Sequence, residues 1–83
     1  MAGITGEQIR AARALLRWEQ RRLAESSSLS LETVKRLEGI VGPVSANTGT
    51  VTKLQTALES AGVIFIAENG EGPGVRLRKD GER

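Results

Sequence analysis

Apolar residues near the start of the chain recur with the period of a helix. Ile9, Ala12 and Leu16 are three and four residues apart, so they share one face of an α-helix. Thr5 and Gln8 have the spacing of a capping box, in which each side chain hydrogen-bonds the backbone N–H of the other residue. The pattern therefore predicts an amphipathic first helix that begins just after Thr5.

Two shorter helices separated by a turn are predicted next. The second helix runs from Glu19 to about Ser26, and the serines at 26–28 end it because serine side chains compete for backbone hydrogen bonds. Ser30 is the predicted N-cap of a third helix, which Gly39 ends. The residues predicted to face the core from these two helices are Leu23, Ala24, Val34 and Leu37.

A fourth helix follows an irregular connection. Residues 40–49 are rich in Gly, Pro, Ser, Asn and Thr, which favour turns and loops. We expect Asn47 or Thr48 to cap the next helix, which runs up to Gly62. Its apolar positions are Val51, Leu54, Ala57, Leu58 and Ala61, which keep helical spacing. This helix can close a bundle with the other three.

The period then changes to that of a strand. Residues 63–66 are β-branched or aromatic, residues 68–74 are dense in turn formers, and residues 75–78 alternate apolar with basic side chains. The order predicts a β-hairpin. Its first strand is apolar on both faces, whereas a single core covers one face, so we expect the hairpin to join two copies in a homodimer. A hairpin that only covers the core of a monomer is the alternative.

The 83 residues have room for one domain. We expect residues 1–62 to form its helical part and residues 63–78 to form a C-terminal hairpin of the same domain. Residues 79–83 are polar and are expected to fray. The expected fold class is therefore mainly α, with a β-hairpin at the C-terminus.

Composition limits the chemistry that this chain can perform. It contains no cysteine and no histidine, which removes the commonest zinc ligands and both Cys-His and Ser-His nucleophile pairs. We therefore expect no enzyme activity, no metal and no cofactor. No apolar run approaches the roughly 20 residues that cross a bilayer, and the N-terminus lacks the features of a signal peptide, so a cytoplasmic protein is expected. The formal charge of +2 is compatible with DNA binding.

The segment from Trp18 to Gly39 carries the most informative motif. In order, it contains Gln20, Leu23-Ala24, the serine turn at 26–28, Leu29, Ser30, Val34, Leu37 and Glu38-Gly39. In this order and spacing it resembles the helix-turn-helix of the phage-repressor-like family, also called the Cro/C1 or XRE type, and the likeness covers residues 5–62. The resemblance implies a lambda-repressor-like bundle of four to five helices that binds double-stranded DNA as a transcriptional regulator.

The residues that match the family's DNA-contacting positions are candidates for the same contacts in this chain. Leu31, Glu32 and Arg36 are the candidate base-contacting residues of a recognition helix at about residues 30–37. The candidate phosphate-contacting residues are Gln20, Thr33, Lys35, Asn47 and Thr48. The resemblance also implies that Arg13 pairs with Glu38 and that Trp18 occupies a core position.

The sequence departs from the family at two positions and leaves one other function open. Glu19 stands where the family usually has a small hydroxyl or Asn cap, and Ser28 stands where it commonly has Gly. The alternative function is a protein interaction module on the same scaffold, such as the antitoxin of a toxin-antitoxin pair. Salt-dependent binding to duplex DNA separates the two functions.

Overall fold

The computed structural model describes residues 3–79 of the chain. Along this part the elements are, in order, α1 (Gly6–Leu16), α2 (Gln20–Ser27), α3 (Leu31–Glu38), α4 (Thr48–Ser60), β1 (Val63–Ile66) and β2 (Gly74–Leu77). The two strands pair antiparallel. The predicted mainly helical fold with a C-terminal hairpin is thus confirmed. Of the predicted frayed tail, residues 80–83 lie outside the described residues.

The predicted capping box begins α1. The Gln8 N–H donates to Thr5 Oγ1 (3.0 Å) and the Thr5 N–H donates to Gln8 Oε1 (2.9 Å). The same Gln8 side chain also reaches the hairpin, where its Nε2 donates to the carbonyl oxygens of Ile66 (3.3 Å) and Gly74 (3.0 Å). Gln8 is only 3% exposed, so these bonds satisfy a buried amide. One side chain therefore joins the start of the first helix to the loop end of the hairpin.

The start of α1 also lies against the chain that leaves α3. The Gly6 N–H donates to the Gly42 carbonyl oxygen (3.1 Å), and the Val44 N–H donates to that of Ile4 (2.9 Å). The Gly42 N–H donates to Glu7 Oε1 (3.0 Å), and this hydrogen bond lowers the pKa of the Glu7 carboxyl. The loop after α3 is thereby fixed to the N-terminus of α1 by main-chain and side-chain hydrogen bonds.

The core is built from aliphatic side chains of every helix. Its fully buried members are Ile4, Ile9, Ala12, Leu23, Val34, Leu37, Leu54 and Leu58. In the hairpin, the register pairs Val63 with Leu77 and Phe65 with Val75, and all four side chains belong to the core or pack against it. The hairpin thus covers one side of the bundle with one of its two faces. Among residues 3–79, no helix has both the length and the apolar character needed to cross a membrane.

The second helix and the second strand differ from their predicted bounds by about one residue at each end. The second strand is Gly74–Leu77, although the Arg78 N–H continues the pairing by donating to the Gly62 carbonyl oxygen (2.8 Å). Gly39 caps α3 as predicted, but its φ of −80° is right-handed, so this helix end does not require glycine. Such differences are expected because helix and strand ends fray.

Gly6 is predicted to be essential for the packing of α1 on α3. A Cβ at this position would lie 2.1 Å from the carbonyl oxygen of Ile40 and 2.9 Å from that of Leu37. Gly6→Ala should therefore reduce the free energy of unfolding by about 1–3 kcal/mol, because a rigid backbone would have to move. Urea denaturation measures the change.

Gly3→Ala is the matched control for this substitution. A Cβ at Gly3 meets nothing within 4 Å. The control should leave the free energy of unfolding within about 0.5 kcal/mol of its original value. Equal stability of the two variants would contradict the close packing of α1 and α3.

Candidate nucleic-acid interface

The turn between α2 and α3 is set by its serines. Ser27 is buried and its hydroxyl donates to the Leu23 carbonyl oxygen (2.7 Å), which lets α2 extend one residue past the predicted end. Ser28 then ends the helix in the left-handed conformation, with φ of 60°. The Leu29 N–H donates to the Ala24 carbonyl oxygen (3.0 Å), which turns the chain toward α3. Two short helices are therefore joined by a tight turn.

Ser30 is the N-cap of α3, as predicted. Its Oγ accepts from the Thr33 N–H (3.1 Å), and its hydroxyl donates to Thr33 Oγ1 (2.9 Å). A capped start fixes the direction in which the first turn of the helix points. The first turn of α3, where Leu31 and Glu32 are predicted to contact bases, is therefore held by its own side chains.

The two faces of α3 differ in exposure and charge. Val34 and Leu37 are fully buried against the core. Glu32, Lys35 and Arg36 are exposed, and their spacing puts them together on the outward side of the helix. We call these three residues the outward face of α3. The helix thus presents charged groups to solvent while its back is anchored in the bundle.

The other two predicted residues of α3 have mixed environments. Leu31 is half-buried and packs against the core, so only part of its side chain is accessible to a ligand. Thr33 is half-buried, and its hydroxyl accepts the hydrogen bond from Ser30. Contacts of Leu31 with a base and of Thr33 with a phosphate stay predictions.

A buried carboxylate ties the two helices to α1. Glu38 is 3% exposed, and its Oε2 accepts from Arg13 Nε at 2.7 Å. Its Oε1 accepts from Arg13 Nη2 (3.2 Å) and from Gln20 Nε2 (3.0 Å). The Arg13 Nη1 donates to the Trp18 carbonyl oxygen (2.8 Å). The expected pairing of Arg13 with Glu38 is confirmed, and it fixes the end of α3 relative to α1 and to the start of α2.

Gln20 therefore hydrogen-bonds Glu38 within the protein, whereas its predicted partner is a DNA phosphate. Its amide nitrogen carries two hydrogens, of which one is directed to Glu38. The second hydrogen is the group that could donate to a phosphate at the N-terminus of α2. Glu19, the N-cap of α2, makes no capping hydrogen bond with its side chain. The phosphate contact of Gln20 stays a prediction.

The N-terminus of α4 supplies the remaining predicted residues. Asn47 is the N-cap, and its Oδ1 accepts from the Thr50 N–H (2.8 Å). Asn47 and Thr48 are both exposed, so a ligand can reach them. This decides between the two caps that the sequence allowed and leaves the phosphate contacts as predictions.

Two contacts near this region were not predicted from the sequence. The guanidinium of Arg10 donates to the carbonyl oxygen of Glu38 at the end of α3. The guanidinium of Arg22 lies over the ring of Trp18, with 4.7 Å between its Cζ and the ring centroid. Trp18 itself packs against the core, as expected. Trp18 lies between α1 and α2, so helical spacing does not relate it to Arg22, and no sequence signal indicated the second contact.

Neither the models of known protein families nor the curated proteins yield a match to this sequence. The function of the chain is therefore inferred from its own residues and from the geometry of α2, α3 and the N-terminus of α4.

Ser28→Gly should stabilise the protein. A residue with a side chain adopts the left-handed region at a cost of about 1–2 kcal/mol, whereas glycine adopts it readily. Glycine also loses more conformational entropy on folding, which offsets about 0.5–1 kcal/mol of this gain. The expected gain is about 0.5–1 kcal/mol in the free energy of unfolding, measured by urea denaturation. Ser26→Gly, inside α2, should instead destabilise the protein. A loss of stability in both variants would contradict the described turn.

Glu38→Gln should destabilise the protein because it leaves Arg13 without an anionic partner. The expected loss is about 3 kcal/mol, at the low end for a broken buried pair, since the Arg13 side chain keeps 25% exposure. The matched control is Glu25→Gln, which changes an exposed carboxylate on α2. Thermal or urea unfolding of both variants at one pH measures the difference, and similar losses would argue against the central role of Glu38.

Proposed function

We propose that this protein is a transcriptional regulator that binds double-stranded DNA sequence-specifically and inserts α3 into the major groove. The observation that carries the proposal is the outward face of α3. Glu32, Lys35 and Arg36 are exposed on a short helix whose opposite side is buried. The major groove admits an α-helix, and side chains that project from one face of that helix can reach the base edges.

The support behind α3 suits such a role. Reading of bases requires side chains held in position by a rigid scaffold. The cap at Ser30 fixes one end of α3, and the hydrogen bonds of Glu38 fix the other end to α1 and α2. The helix can therefore enter a groove as a rigid body, with little loss of conformational entropy on binding.

Each proposed contact follows from the chemistry of the side chain. Arg36 can donate two hydrogen bonds to a guanine, Glu32 can accept from the amino group of a cytosine, and the accessible part of Leu31 can contact a thymine methyl. The residues proposed to contact phosphates are Gln20, Thr33, Lys35, Asn47 and Thr48. The phosphate contacts position the protein, and the base contacts select the sequence.

Selection of duplexes from a random pool tests this function. We expect the full chain to enrich a defined motif, and we expect Arg36→Ala to relax the preference at one base position. The loss of discrimination there should be about 1–3 kcal/mol, the contribution of one bidentate contact. Enrichment of an unchanged motif by the variant would contradict the assignment of Arg36.

Salt titrations separate base contacts from phosphate contacts. Lys35→Ala should weaken binding to all sequences alike and lower the slope of log affinity against log salt by about 1. Lys53→Ala is the control. It removes the same charge from an exposed position on α4, in a surface groove of the protein that Trp18 and Arg22 also line. The control should keep the slope. Absence of any salt-dependent duplex binding by the full chain would overturn the proposal in favour of a protein interaction module.

A further inference from the structure

The hairpin has a second face, on which Ile64 and Ile66 are half-buried. Side chains alternate between the two faces of a strand, so Ile64 and Ile66 point away from the face that carries Val63 and Phe65. Within residues 3–79, neither isoleucine packs against the buried core. In the register, Ile64 lies beside Arg76 and Ile66 beside Gly74. We call Ile64, Ile66 and Arg76 the outer face of the hairpin.

Charges of opposite sign flank the outer face. At the base of the hairpin, Arg76 and Arg78 are exposed, and the Arg78 N–H pairs with the Gly62 carbonyl oxygen. At the loop end, Glu68 and Glu71 are exposed. The surface therefore runs from a basic end, through two isoleucines, to an acidic end. A surface of this kind is complementary to itself when one copy is turned through 180°.

We infer that the outer face of the hairpin binds the same face of a second copy of this chain across a two-fold axis. In the antiparallel arrangement, Ile64 and Ile66 of one copy meet those of the other, and water is excluded from both pairs. Arg76 of each copy then lies near Glu68 of the other. A partner whose surface carries charges of only one sign would be attracted to one end of this surface and repelled by the other end. Self-association through this face does not require DNA.

Sedimentation equilibrium of the full chain without DNA tests the inference. We expect a dimer that the double substitution Ile64→Thr and Ile66→Thr weakens by about tenfold or more, because it removes the apolar centre of the interface. Threonine keeps the β-branched shape that favours strands, so the hairpin is retained. Val41→Thr is the control, since Val41 is 85% exposed and lies outside the hairpin. Circular dichroism checks that each variant is folded.

Charge reversal tests the antiparallel arrangement. Arg76→Glu alone puts a carboxylate where Glu68 of the other copy lies, and Glu68→Arg alone puts a guanidinium where Arg76 of the other copy lies, so each should weaken the dimer. Both substitutions in one chain restore opposite ends and should recover much of the affinity. A chain that stays monomeric at high concentration would overturn the inference. A dimer that none of these substitutions affects, or a double reversal no stronger than the single ones, would overturn it too.

Duplex binding is measured separately on the same variants. A full chain that binds duplex DNA but stays monomeric overturns this inference alone, whereas a full chain that dimerises but binds no duplex DNA overturns the proposed function alone.

Discussion

The pairing of Glu38 with Arg13 is the constraint on which the placement of α3 depends. A carboxylate that is almost wholly removed from water must be neutralised by partners, because its transfer to the interior is costly. Arg13 on α1 and Gln20 on α2 provide them, and both lie far from Glu38 in the sequence. These hydrogen bonds restrict how α3 can be placed relative to α1 and α2. The geometry of the two-helix region depends on that requirement as much as on apolar packing.

Local chemistry was predictable from the sequence to a large extent. The capping box of Thr5 and Gln8, the cap at Ser30 and the strand at Val63–Ile66 each depend on residues within a few positions of one another. Interactions between residues close in the sequence can be predicted from the residue types and their spacing. The pairing of Arg13 with Glu38 was expected from the family resemblance, since spacing alone does not relate residues 25 positions apart.

Interactions between distant segments were not predictable. Gln8 donates to the carbonyl oxygens of Ile66 and Gly74, which lie 58 and 66 residues further along the chain. Every residue has a backbone carbonyl group, so the sequence does not indicate which one accepts the hydrogen bond. The contact of Arg10 with the Glu38 carbonyl oxygen has the same character. In the candidate site, the pattern indicated which residues of α3 face outward, but the partial burial of Leu31 depends on how α3 is tilted on the core. That tilt is a tertiary property.

Gln8 hydrogen-bonds both the N-terminus of α1 and the hairpin. Its amide nitrogen is buried, and both of its acceptors belong to the two strands of the hairpin, so a small displacement of the hairpin would break hydrogen bonds that water cannot easily replace. The N-terminal helix is therefore finished by the C-terminal end of the described chain. One buried side chain therefore couples the start of α1 to both strands of the hairpin, so a change that shifts the hairpin also disturbs the N-terminus of the first helix.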